Sequence, residues 1–335
     1  MTKHSIIMGD PFFFSVKGGA NPHTRNRFGI KKKVGRELAI SQWHSFADTL
    51  IDYGLQIFVV PPQLEYPGLV YPANAGFMAN VMQNAPLTEK VFYLSNLIPT
   101  RAGEQKYYDD LITGLGIKTS TLSRRFEGEA DLFPVGNKYI FTHGRIQKQR
   151  FKLRFGFPPY KRIYGFRSDY AVLDELKPIL GSTPIISITL INESHYHGDT
   201  VLCSFGENRQ QLLAYLEGLD KSSQSLLKEE FGDYIIPLTE EDARLYAANS
   251  FSVSYMGEHF IFMPEGVSQR LLDQISERGV YPVTIDVSEF LNKGGGSIKC
   301  MIGDLGVFID SPEEISENVK DYRNKHRYEN YYNKI

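Results

Sequence analysis

Residues 41–60, "SQWHSFADTLIDYGLQIFVV", hold two secondary structures and the punctuation between them. Trp43, Phe46, Ala47 and Leu50 fall three and four apart, the spacing of one helical face. Gly54 is the residue a helix C-terminus favours. "LQIFVV" follows at once, short and apolar, as a buried strand is. The same order returns at "EQKYYDDLITGLG" (104–116) before "IKTSTL", and at "GVSQRLLDQISERG" (266–279) before "VYPVTIDV". Other short apolar runs stand at 90–95, 138–143, 185–191, 200–205 and 259–264. Strand–helix–strand recurrence every several tens of residues predicts an α/β fold. It also suggests a modular repeat, though no sequence repeats.

The chain has 335 residues, 42% hydrophobic and 23% charged, with a formal net charge of −2 and two cysteines. That composition is enough for a large core. Near-neutral charge gives no reason to expect nucleic acid or a membrane as partner. Two cysteines make no disulfide framework, and no apolar run reaches the roughly 18 residues of a spanning helix. The N-terminus lacks the pattern of a signal peptide. The expectation is a cytoplasmic protein with a single domain over 1–310. Its polar, Tyr-rich tail, 311–335, is read as helical and packed on the surface or on a second subunit of a homo-oligomer.

The segment 144–163, "GRIQKQRFKLRFGFPPYKRI", carries seven basic residues and no acid. "FKLRF" alternates as a half-exposed strand does, and a solvated protruding hairpin is its expected form.

Four other stretches hold residues suited to chemistry. "LNKGGGSIKC" (291–300) leads three glycines into Cys300, either as a plain turn or as a tight turn that faces a sulfur toward a substrate. In "ESHYHGDT" (193–200), His195, His197 and Asp199 alternate, which on a strand end would put them on one face. His-x-His is ligand-like for zinc, but no third ligand stands at customary spacing. In "RRFEGEADLF" (124–133), Glu127 and Asp131 flank Gly128 in a turn entering a strand, where a carboxylate could bind a cation or take a proton. "YPANAGFM" (71–78) puts Asn74 in a turn of small residues.

In that order, and with "YGFRSD" (164–169) between them, these motifs resemble the guanidino-group-modifying enzymes of the pentein superfamily. That group includes arginine deiminases, dimethylarginine dimethylaminohydrolases, amidinotransferases and arginine dihydrolases, and the dihydrolase branch is the closest likeness. "FEGEAD" resembles its F-E-G-x-G-D, "YHGDTVLC" its Y-H-L-D-T-x-x-C, "SEFLNKGGGSIKC" its T-E-F-L-K-x-G-G-x-x-K-C, and "YPANAG" its F-T-A-N-A-G. The likeness covers roughly residues 8–308.

The resemblance implies an α/β propeller of five ββαβ-like units with pseudo-fivefold symmetry. It implies Cys300 as nucleophile, His197 as general acid/base and Glu127 as the carboxylate that holds the guanidinium. Asp199, Asp131 and Asn74 would help bind the substrate. Arg167 and Arg101 ("TRAGEQ") resemble the arginines that take the substrate carboxylate, and Asn21 ("GANPHTRN") the asparagine of the I-N-P-W loop. The implied chemistry is covalent, through an S-alkylthiouronium intermediate, releasing ammonia and giving citrulline or ornithine. No metal or organic cofactor is implied. An amidinotransferase would use nearly the same residues, and a silent binding relative would have no need of them. The chain departs from the pattern at Gly68, where P-D-x-V-F members carry Asp, at Glu129 and Ala130, and at Gly198. Glu65 is a candidate substitute for the missing carboxylate.

Overall fold

The computed structural model describes residues 3–17, 21–26, 28–86, 89–156, 159–309 and 315–332. It is an α/β structure in which one pattern occurs five times: an antiparallel pair of strands, then a helix, then a third strand parallel to the second. The second unit is Gly76–Met78, Val91–Leu94, helix Gln105–Gly114 and Lys118–Thr121. The third is Leu132–Val135, Lys138–His143, helix Leu173–Leu180 and Ile185–Thr189. The fourth is Leu202–Phe205, Gln211–Ala214, helix Lys221–Phe231 and Ile235–Pro237. The fifth is Phe251–Tyr255, Glu258–Pro264, helix Gln269–Ser276 and Val280–Ile285.

The first unit joins the two ends of the chain. Gly303–Ile309 pairs antiparallel with His4–Gly9, which runs parallel to Gln56–Val60 after the helix Arg36–Asp52. The units keep separate sheets rather than closing into one.

Each helix covers its sheet with the face read from spacing. Trp43, Phe46, Ala47 and Leu50 are fully buried, while Glu37 and Asp52 look outward. The tail forms helices Glu317–His326 and Tyr328–Tyr331 that pack on this chain. Tyr328 and Tyr332 lie against Trp43, and the Tyr332 hydroxyl donates to Asp10 Oδ2 at 2.9 Å.

The basic segment forms a hairpin of Arg150–Leu153 with Tyr160–Ile163; Phe157 and Pro158 lie outside the described residues. The segment takes the solvated, protruding form expected of it. All four residues of Arg150–Leu153 are exposed, because the hairpin pairs with no other sheet.

The site is prepared by what precedes each unit. A tight helical turn enters the second, third, fourth and first units at Pro72–Asn74, Gly128–Ala130, Gly198–Thr200 and Lys299–Met301. A turn ending at Asn249 enters the fifth. These turns touch in sequence: Gly128 lies on the carbonyls of Ala73 and Gly76, Gly198 N–H donates to Asp131, Asn249 donates to Asp199 O, and Cys300 N–H donates to Asn249. Gly128 has φ +65°, and a Cβ there would stand 2.6 Å from both carbonyl oxygens. Gly128→Ala therefore adds left-handed strain to a backbone clash. It is expected to lower unfolding free energy by about 2–4 kcal/mol in urea titration.

Candidate active site

The entering turns bring sequence-distant side chains to one cavity of about 360 Å³. Cys300, His197, Glu127, Asn74, Arg101, Arg167 and Asn21 all line it. The three glycines before Cys300 have steric reasons. Gly295 has φ +75°, and a Cβ on Gly294 or Gly296 would strike the Tyr71 ring or hydroxyl at 1.9–2.5 Å. Asn21 pins this loop by donating to Gly294 O at 2.8 Å.

Cys300 Sγ is buried. It receives Asn249 Nδ2 at 3.2 Å and donates to Asp199 Oδ2 at 3.5 Å. Burial, and then the Asp199 charge, push its pKa well above the ordinary thiol value, so the resting group is a thiol. Burial, with the Asp131 charge behind it, pushes Asp199 up to about 6 against the opposing pull of His197.

His197 Nε2 and Glu127 Oε2 are 2.8 Å apart, both buried. Burial would raise Glu127, but the His197 hydrogen bond and charge, with Arg167 and Arg101 beyond, hold it at about 2. Burial would lower His197, yet Asp131 and Glu127 outweigh it and raise its pKa. Both shifts favour the carboxylate–imidazolium form of the pair, a proton donor beside a nucleophilic sulfur.

Two expected substrate-binding acids stand elsewhere. Asp131 does not face the cavity, because its carboxylate accepts from Ser168 Oγ, Thr142 Oγ1 and Gly198 N–H at 2.6–2.9 Å. It braces the turn that carries His197. Asp199 touches the sulfur but lines a smaller cavity behind it, with Glu129, Lys299 and Cys203.

His195 and His197 do not share a strand face. The strand of the third unit ends at Thr189, and His195 packs beside Tyr215 and Tyr246, burial driving its pKa down to about 4. Among the described residues no group of three His, Cys, Asp or Glu side chains is arranged to hold a metal.

Two residues of the site escaped sequence reasoning. Asn249, in "AANSFSV", stands just before a strand as Asn74 does in "PANAGFM", and that likeness was a usable signal. Glu104 sits in "TRAGEQ" beside the residue that was chosen, Arg101, which grips it at 2.6 Å.

Residues 163–307 match the family described as N,N dimethylarginine dimethylhydrolase, eukaryotic. The N(G),N(G)-dimethylarginine dimethylaminohydrolase of Mycobacterium tuberculosis is 27% identical over 88% of this chain and 83% of its own length. The bifunctional arginine dihydrolase/ornithine cyclodeaminase AgrE of Nostoc is 27% identical over 94% of this chain, which spans 39% of that longer protein. The solved N-terminal domain of ArgZ, covalently bound to a reaction intermediate, shares the fold with TM-score 0.75 at 24% identity, covering 92% of this chain and 100% of that one.

The chain is thus similar in sequence to dimethylarginine dimethylaminohydrolases and arginine dihydrolases, and it shares its fold with a solved arginine dihydrolase domain.

The departure at Gly68 from the motif pattern has a physical explanation. A Cβ on Gly68 would meet Glu104 Oε1 at 2.3 Å and Arg101 Nε at 3.0 Å. The space of the usual aspartate is taken by the Arg101–Glu104 pair, so the acid arrives from another loop already holding a cation. Glu65, the substitute considered above, lines the cavity but is exposed. Arg101 also donates to Asn74 Oδ1 at 2.6 Å. A guanidinium has only donors, which fixes the amide with its oxygen toward Arg101. Asn74 Nδ2 is then buried without a partner in the cavity wall.

The electrostatic account of His197 is checked by its titration. Glu127→Gln removes a hydrogen-bonded charge that favours the imidazolium, so the His197 pKa is expected to fall, read from imidazole NMR shifts across pH. An unchanged pKa would show that Asp131 alone holds the proton.

Proposed function

We propose that the protein is a cysteine-dependent hydrolase of the guanidino group of arginine or an arginine derivative. The carrying observation is the meeting of Cys300, His197 and Glu127 in one buried cavity, with Glu127 on His197 at 2.8 Å. We read its five units as the blades of the five-fold α/β propeller, their entering turns forming the centre. The named relatives, a dimethylarginine dimethylaminohydrolase and arginine dihydrolases, support the same reaction class.

A planar guanidinium offers donors around its rim and an electrophilic carbon at its centre. Glu127 takes rim donors, and Arg167 binds the substrate carboxylate. The cation's arrival beside Cys300 offsets the burial that keeps sulfur protonated, so substrate itself favours the thiolate. Asp199 accepts the thiol proton. Sulfur attacks the central carbon, and His197 gives its proton to the departing amine, leaving an S-alkylthiouronium. His197, now neutral, takes a proton from water, which attacks the same carbon and releases the thiol. The Asn249 amide, donating to sulfur at 3.2 Å, steadies the charged nucleophile in both steps.

Asn74 bears on the extent of reaction. Its unpartnered Nδ2 is a donor, which suits the carbonyl oxygen of a ureido group better than the N–H rim of a guanidinium. A citrulline held by that donor stays in reacting position for a second attack. On this reading arginine and two waters yield ornithine, two ammonia and CO2.

Cys300→Ser is expected to abolish turnover with the fold intact by circular dichroism, since a serine hydroxyl is far less nucleophilic at neutral pH. Cys203→Ser should retain activity, because Cys203 lies in a strand with its thiol pushed up to about 12 by burial. Full turnover by the Cys300 variant would remove the proposal.

Asn74→Asp exchanges the donor for an acceptor and should make citrulline accumulate, read by amino-acid chromatography after incubation with arginine. Stoichiometric citrulline from the unaltered protein would exclude the two-step version while leaving the cysteine chemistry standing.

A further inference from the structure

The net charge of −2 averages over a strongly uneven surface. Two segments distant in sequence, 21–36 and 144–163, contain no Asp or Glu. The fold sets them side by side. A Cβ on Gly29 would stand 3.3 Å from the Tyr160 hydroxyl, and Arg25, Gly29, Phe151 and Arg162 wall one cavity of about 440 Å³. Its acidic wall residue, Glu193, is occupied by the N–H groups of Tyr164 and Gly165. Arg25, in the segment that also holds the lysines at 31–33, thus shares this cavity with Lys161 and Arg162, and the hairpin adds Arg150 and Lys152. Among the described residues none of these makes an ion pair.

The hairpin is amphipathic. Its register opposes Leu153 to Tyr160, Phe151 to Arg162 and Lys152 to Lys161. Opposed residues share a face, so Phe151, Leu153 and Tyr160 gather on one side with Arg162, and Lys152, Lys161 and Arg150 on the other with Ile163. A lone two-stranded hairpin is marginal in water, and opposed lysines weaken it further. Exposed apolar side chains cluster on the same surface: Ile30 is 63% exposed, Phe151 61%, Leu153 84%, and Phe155 is fully exposed. Single exposed apolar residues are ordinary, but a cluster rimmed by charge marks an interaction surface.

We propose that this hairpin docks on an anionic phospholipid bilayer with its tip leading, so that both of its sides meet lipid. Lysine and arginine pair with lipid phosphates, while Ile30, Leu153 and Phe155 enter the acyl boundary. A single-stranded nucleic acid would meet the cations and stack on phenylalanine, but would give Ile30 and Leu153 nothing to bury against. The whole-chain charge gave no reason to expect a membrane because acids elsewhere balance this patch. The loop that carries the lysines also carries Asn21 and Thr24 of the cavity wall, so the docked face adjoins the candidate active site.

The experiment is co-sedimentation of the full chain with phosphatidylcholine vesicles, with or without about 30% phosphatidylglycerol, at low and high salt. The chain should pellet with the anionic vesicles alone and be released by salt. Leu153→Ser with Phe155→Ser, and separately Lys152→Glu with Lys161→Glu, should each weaken binding by about tenfold or more. Both pairs lie on an exposed hairpin outside the cavity, so hydrolysis in solution serves as the folding control. Failure to pellet with anionic vesicles overturns the proposal. So does binding that the serine pair leaves intact and that a single-stranded RNA oligomer competes away, which would make the face a polyanion site.

Discussion

One amide holds the centre of the molecule together. Asn249 Oδ1 accepts the N–H groups of Ser297 and Cys300 at 3.0 and 3.1 Å, while Nδ2 donates to Asp199 O and to Cys300 Sγ, both at 3.2 Å. Its own carbonyl accepts Lys299 N–H at 3.1 Å. An asparagine is the side chain that can accept two backbone donors and donate twice from a buried position. An aspartate would offer no donor to sulfur and would add a charge beside Asp199. Through this residue, the entry turns of the fourth, fifth and first units share one rigid geometry, and the sulfur's position follows from it.

Burying charge around that amide demands partners, since an unpaired ion away from water costs several kcal/mol. The partners are what tie turn to turn. Lys299 reaches Glu129 at 2.7 Å, linking the turn of Cys300 to the turn that follows Glu127. Glu129 also accepts Asp304 N–H at 2.6 Å, and Asp304 in turn holds His4 at 2.6 Å and Arg209 at 2.7 Å. Glu129, noted in the sequence as a departure from F-E-G-x-G-D, is in this chain a buried strut between two turns of the site. These contacts place structural ion pairs on one side of Cys300 and the substrate cavity on the other.

The repeat of strand, helix and strand was legible because it rests on local rules: apolar spacing along 41–50, a terminal glycine, and short β-branched runs. The candidate site was legible only through motif order, since Cys300, His197 and Glu127 meet by topology and no local rule joins them. The alternation of His195, His197 and Asp199 misled because period-two reasoning holds on a strand, and this stretch is irregular chain ending in a tight turn. Asp131 looked like a ligand because its type and position suited one. Its role as a brace depends on Thr142, Ser168 and Gly198, residues that sequence proximity does not connect to it. The hairpin at 144–163 was readable as protruding, but its neighbour at 21–36 was not, because two acid-free segments become one surface only in the folded chain.

Charge balance in the cavity bears on how a cationic substrate can enter. Glu127 is balanced by His197, and Glu104 by Arg101. The acid beside the sulfur, Asp199, is raised by burial to about 6, and it lines the smaller cavity behind the sulfur rather than the larger one. A guanidinium placed among already paired carboxylates gains little from them. It gains much from any group that can lose a proton in its presence, and the thiol of Cys300 is such a group. On the proposed mechanism binding and activation are one electrostatic event: the cation would stabilise the thiolate, and the thiolate would supply the negative charge that the Gly68 position lacks. A neutral ureido group brings no such charge. A second turnover would therefore rely on the Asn74 donor to hold the carbonyl and on the His197 proton to make the carbon electrophilic. The amide at position 74 and the His197 proton favoured by Asp131 and Glu127 answer the same difficulty within one cavity.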